Sequence, residues 1–132
     1  MAARIVAVSL ALLLAGFGAI SLRDHDSCQE QSARMIDVIV GKVQRADRYV
    51  DEFLDECRGS RILALTANGL ARRGKLDDAV RISDEAIRRE PRNYEGWAAL
   101  AAALRKRGLD AAADRATGRA QALNPRFGRG PG

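Results

Sequence analysis

Histidine is nearly absent from this chain of 132 residues, cysteine occurs twice, and aromatic residues make up 5%. Each shortage removes a class of function. The single histidine, His25, stands between Asp24 and Asp26 with no second ligand at usable spacing, which suits a solvated linker better than a metal site. One linker histidine also supports no Ser-His-Asp or Cys-His arrangement. The two cysteines do not form a C-x-x-C pair, which argues against dithiol exchange. Aromatics are too few to stack bases, so nucleic acid is the weakest candidate partner. No phosphate-binding GxxxxGK(S/T) loop occurs. These absences lead us to expect no catalytic site, cofactor or metal.

Charge is plentiful but divided. The net charge is +5, yet residues 23–60 carry six basic and nine acidic side chains, and residues 61–132 carry fifteen and eight. At this length the chain holds one small domain plus an appendage, near the lower limit for an independent core.

The appendage is at the start. Residues 5–22 contain no charge. Eighteen residues of helix measure about 27 Å, just enough to cross a bilayer core. Residues 1–26 therefore read as a signal-anchor or transmembrane segment with its linker; the alternative is a cleaved signal peptide, with Ala19-Ile20-Ser21 as a passable site. Arg4 precedes the span and only Arg23 follows closely, which favours a cytoplasmic start and an extracytoplasmic remainder. The expected localisation is the cell membrane, single-pass, or secretion if the signal is removed.

Residues 27–59 read as a helical hairpin. Ser27 and Glu30 have the capping-box spacing. Met35, Ile36, Ile39 and Val43 follow at helical intervals; after a break near Gly41-Lys42, so do Ala46, Val50, Phe53, Leu54 and Cys57. The β-branched run Val38-Ile39-Val40 permits a short strand, but no partner strand is visible. Cys28 opens the hairpin and Cys57 closes it, with their midpoint at the turn. An antiparallel hairpin brings the two together as a disulfide, as an exported chain allows; two buried free thiols are the alternative.

Residues 60–125 are written twice at a spacing of 34. That step pairs Leu63 with Trp97, Thr66 with Leu100, Ala67 with Ala101 and Leu70 with Leu104, and continues with Gly74 and Gly108, Ala79 and Ala113, Ala86 and Ala120, Pro91 and Pro125. Leu63, Leu70, Trp97, Leu100 and Leu104 form apolar stripes, and the alanines suit close helix approach. Gly74 and Gly108 end the first helices, and Pro91 and Pro125 stop the second ones. The pattern predicts helices over 60–73, 77–89, 94–107 and 110–122.

This period, with large apolar, small and proline positions in that order, resembles the tetratricopeptide repeat, a helix-turn-helix unit that stacks on copies of itself. The resemblance implies an all-α fold: an N-terminal anchor helix, the hairpin, then two stacked repeats (60–93 and 94–125) in a short α-solenoid, with a disordered tail over 126–132. Ser83 and Thr117 stand where the family carries an aromatic residue, which thins the packing. The family's concave face, lined by first helices, implies Arg61, Ala64, Asn68 and Arg72, then Glu95, Ala98, Ala102 and Arg105, as a partner-binding trough. Only Asn68 matches the set with which some members hold a peptide carboxylate, so that activity is not carried over. The extra helix that usually shields the last repeat is missing, implying an apolar end-on surface at Ala116, Ala120 and Leu123.

Two basic clusters complete the reading. Arg72, Arg73 and Lys75 recur as Arg105, Lys106 and Arg107 along one edge, and Arg88, Arg89, Arg92, Arg119 and Arg126 lie near the opposite edge. Cations favour helix C-termini in any case; they also suit an anionic lipid surface or envelope polymer. The expected partner is a peptide or helix segment of another exported or membrane protein. A self-assembling envelope component and a thiol-redox protein are the other readings.

Overall fold

A computed structural model describes residues 27–42 and 47–128. Six helices run through these residues and no strand forms among them. They are α1 (27–39), α2 (Asp47–Glu56), α3 (Ser60–Arg72), α4 (Leu76–Arg89), α5 (Tyr94–Lys106) and α6 (Asp110–Leu123). The chain is all-α, and its stacked helix pairs are compatible with a helical repeat. The uncharged run 5–22 and His25 lie outside the described residues. Among the described residues no helix is long and apolar enough to cross a membrane.

The period of 34 reappears in the hydrogen bonds that end α3 and α5. Gly74 and Gly108 take φ of 81° and 78°, the left-handed region that a side chain resists. Beyond Gly74, Lys75 N–H donates to Leu70 C=O at 3.0 Å; beyond Gly108, Leu109 N–H donates to Leu104 C=O at 3.0 Å. Each closes the wide ring of a Schellman end, satisfying carbonyls the helix leaves open. Gly41, at φ 85°, follows the end of α1. Val38 and Ile39 are therefore helical, not a strand.

α3 packs on α4 and α5, α4 on α5, α5 on α6, and α2 on α4. The hairpin joins this stack through α1, whose Ile39 approaches Gly69 so closely that a Cβ there would meet Ile39 Cδ1 at 2.9 Å. Gly96 does the same for the crossing of α4 and α5, where a Cβ would lie 3.2 Å from Ile87 Cγ1. Small residues set these crossings because two helix backbones cannot otherwise come near.

The largest fully buried side chains, Phe53, Met35, Leu63, Leu70 and Ile82 foremost, all precede residue 84. α5 and α6 bury mainly alanines: Ala99, Ala101, Ala103, Ala113, Ala116 and Ala120. The apolar mass thus sits between the hairpin and the first helix pair, and the second pair is held by close backbone approach. Ser83 lies inside this core, while the Thr117 hydroxyl donates to Ala113 C=O.

Two expectations need correction here. Ile36 does not join the hairpin's buried face: it is 58% exposed, and Val38 is buried instead. A helix turns about 100° per residue, so Ile36 stands a quarter-turn off Met35, whereas Val38 completes the stripe of α1 that faces the core. The tail is ordered as far as it is described: residues 125–128 form a turn, and the Phe127 ring lies 6.0 Å from that of Tyr94. Phe127 is the apolar anchor in a stretch without period, so periodicity gave no sign of it.

Candidate partner-binding face

Opposite its contacts with the core, α3 exposes Arg61, Leu65, Asn68 and Arg72. Spacings of four, three and four keep these four side chains on one stripe. Leu65 is 55% exposed at its centre. Ala64, expected in this trough, is only 2% exposed. One residue of rotation, about 100°, separates it from the open stripe.

Links from α3 to α5 close both ends of the stripe. Arg61 Nε is 3.6 Å from a Glu95 carboxylate oxygen. Glu95 is placed by Asn93, whose Oδ1 caps α5 by accepting from Glu95 N–H at 3.0 Å. The Asn93 amide also donates to Ser60 Oγ at 3.0 Å, and Ser60 Oγ donates to Glu90. At the other end Lys106 Nζ donates to Arg72 C=O at 3.0 Å. Two expected trough residues, Arg61 and Glu95, are therefore brought together as an ion pair. Asn68 and Arg72 stay exposed between these links.

Arg105 is not in the trough. It pairs with Asp114 on α6 at 2.6 Å. One period earlier its place is taken by Ala71, buried in the core, whereas Arg105 is exposed on the α6 side. The same flank corrects the end-on surface. Ala116 is 4% exposed, Ala120 is fully buried and Leu123 is half-buried. Their stripe packs inward on α5; on the outer side Phe127 meets Tyr94, Arg105 pairs with Asp114, and the Arg119 guanidinium stands 5.6 Å over the Trp97 ring.

The basic clusters are largely used within the fold. Arg107 pairs with Asp77 at 2.6 Å. Arg89 donates to Leu54 C=O at 2.7 Å and to Cys57 C=O, capping the end of α2. Arg81 pairs with Asp51 between α4 and α2. These contacts hold the acidic hairpin to the basic pair that follows it. Arg89 read from sequence as one more edge cation, and its spacing gave no sign of that docking role.

Glu85 organises this corner. The hydrogen bond from Arg88 holds its carboxyl below the ordinary 4.5; burial opposes that shift, and Arg89 reinforces it. Asp78 moves the other way: burial raises its pKa, and the neighbouring Asp47 charge adds to the rise. Both sites are structural in placement, at the seam between hairpin and first pair.

Cys28 and Cys57 have their sulfurs 2.10 Å apart and their Cα atoms 4.7 Å apart, a disulfide's geometry. Among the described residues no three or more His, Cys, Asp or Glu groups converge where they could hold a metal ion. The residue that sequence reasoning missed on the open face is Leu65; its signal is available in the four-three-four spacing with Arg61, Asn68 and Arg72. No protein-family model matches the chain, and no curated protein does.

Proposed function

We propose that the chain is a membrane-anchored, extracytoplasmic interaction scaffold of the tetratricopeptide type, which holds an extended or helical segment of another exported or membrane protein and performs no catalytic step. The observation that carries this reading is the stripe on α3: an exposed leucine, Leu65, framed by Arg61, Asn68 and Arg72. An apolar centre with a polar surround is the anatomy of a small recognition surface. Residues 5–22 would confine it near the membrane and raise its effective concentration toward partners there.

The test is photocrosslinking in native membranes from a probe at position 68, with full-length chains carrying Leu65→Asp or the pair Asn68→Glu and Arg72→Glu. Capture of a defined partner by wild type, lost in both variants while helicity is retained, is the expected result. Folded variants that recover the same partner as wild type would move the binding site off this face.

A further inference from the structure

Each helix pair runs antiparallel, so the starts of α1, α3 and α5 share one edge of the domain with the ends of α2, α4 and α6. Contacts mark that edge: Cys28 with Cys57, Ser60 with Asn93, and Tyr94 with Phe127. The opposite edge carries the turns at Gly41, Gly74 and Gly108.

Both edges are rich in cations, and each holds some that form no ion pair among the described residues; what sets the start edge apart is its aromatic side chains and its short chain distance from residues 5–22. At the turn edge Lys42 pairs with Asp37, Arg105 with Asp114 and Arg107 with Asp77, and Lys106 is bound to the Arg72 carbonyl, while the side chains of Arg72, Arg73 and Lys75 form no ion pair among the described residues. At the start edge Arg58, Arg92 and Arg126 are exposed, and none forms an ion pair among the described residues. The acidic groups there are largely engaged: Glu95 with Arg61, Glu85 with Arg88 and Arg89, and Glu90 with Ser60, leaving Asp55 and Glu56. Two hollows open on this edge. One, of 360 Å³, lies beside Arg58 and Arg88; the other, of 450 Å³, beside Arg61 and Arg92. Trp97, in the first turn of α5 and held by its Nε1–H donating to Pro91 C=O at 2.9 Å, stands here with Tyr94 and Phe127.

We infer that the edge carrying the starts of α1, α3 and α5 rests on an anionic bilayer, with Arg58, Arg92 and Arg126 against lipid phosphates and Trp97 at the interface. This rests on reading residues 5–22 as an anchor. Four residues separate that run from residue 27, so five backbone steps join the two and span at most about 18 Å. The 13-residue helices α3 and α5 are about 20 Å long, so this linker reaches the start edge and not the turn edge. Guanidinium groups recognise phosphate through planar, forked hydrogen bonds, and anionic lipids attract cations held beside the membrane. Tryptophan and tyrosine favour the headgroup level because each ring has an apolar body and a polar tip.

Trp97 is the sole tryptophan, so the native chain reports on itself. The full chain is reconstituted in vesicles of phosphatidylglycerol or of phosphatidylcholine, each containing lipids with a nitroxide on the headgroup, and tryptophan fluorescence is read. Quenching should be strong in the anionic vesicles and weaker in neutral ones. It should fall at about 1 M salt, and be lost in the triple variant Arg58→Gln, Arg92→Gln, Arg126→Gln while that chain stays membrane-bound. A tryptophan at the turn edge, Leu109→Trp in a Trp97→Phe chain, should escape quenching. Equal quenching in both lipids, unchanged quenching in the triple variant, or stronger quenching at position 109 overturns the inference and leaves the anchor standing. Release of the chain by alkaline carbonate overturns the anchor, and this inference with it.

Discussion

The guanidinium of Arg89, at the end of α4, donates to the backbone carbonyl of Leu54 on α2 at 2.7 Å, across 35 residues of sequence. With its second bond to Cys57 C=O, it satisfies carbonyls that the end of α2 leaves open, and its half-hidden position keeps water from doing the same. Arg89→Ala should cost about 1.5–3 kcal/mol, the range for hydrogen bonds with a charged partner. The loss should appear first in the hairpin. Hydrogen exchange should quicken across α1 and α2 more than across α5 and α6. Arg89→Lys should not rescue it, because an ammonium cannot fork across two carbonyls as a planar guanidinium does. Uniform acceleration along the chain would count against this docking role.

Glu85 adds a pH dependence to the same corner. Its folded pKa lies below the ordinary 4.5, so folding favours the ionised form. The stability it contributes is present above that ordinary value and is lost as pH falls through the depressed one. Glu85→Gln should therefore lower the melting temperature at pH 7, and the gap between wild type and variant should close only as pH falls below the depressed folded pKa, where the carboxyl is protonated in both states. A gap that persists in acid would mean that Glu85 acts through packing and not through its charge.

Ser83 is fully buried, and among the described residues its hydroxyl has no hydrogen-bond partner. Such a group bears the cost of leaving water without a bond in return. Ser83→Ala should be neutral or up to about 1 kcal/mol stabilising, whereas Ser83→Phe should destabilise by about 1–3 kcal/mol through overpacking. Denaturant midpoints at unchanged slope would measure both. A clear loss of stability in Ser83→Ala would reveal a bond that the hydroxyl makes in solution.

Joining Cys28 to Cys57 closes a loop over a separation of 29 residues. In the chain-entropy model this contributes about 3–4 kcal/mol, a sizeable share of the about 5–15 kcal/mol typical of a folded domain. Cys57→Ser should lower the melting temperature, with the hairpin loosening before α3 to α6. Titration of the purified, unreduced chain should find no free thiol; two per chain would refute the bond.

Local chemistry determined much of this fold from the sequence alone. The period of 34 located α3 to α6 within a residue at each end, because the signals involved act over one helical turn: an apolar stripe, a glycine free to adopt positive φ at positions 74 and 108, and a proline that stops the next helix. Hairpin and cysteine partners were readable for the same reason, since an antiparallel pair of equal arms must bring its ends together. Tertiary structure alone decided the exposed surface. Whether Ala64 or Leu65 faces out depends on one residue of rotation, about 100°, and only the way the neighbouring helices pack on α3 fixes that angle. Arg105 differs from its neighbour Lys106 for a related reason: one meets Asp114 on the last flank, the other the Arg72 carbonyl. Ala116 and Ala120 are closed off where an open end was expected, and Phe127 finds Tyr94 from a stretch without period. These outcomes depend on which helices cross, and no spacing within a single helix encodes that.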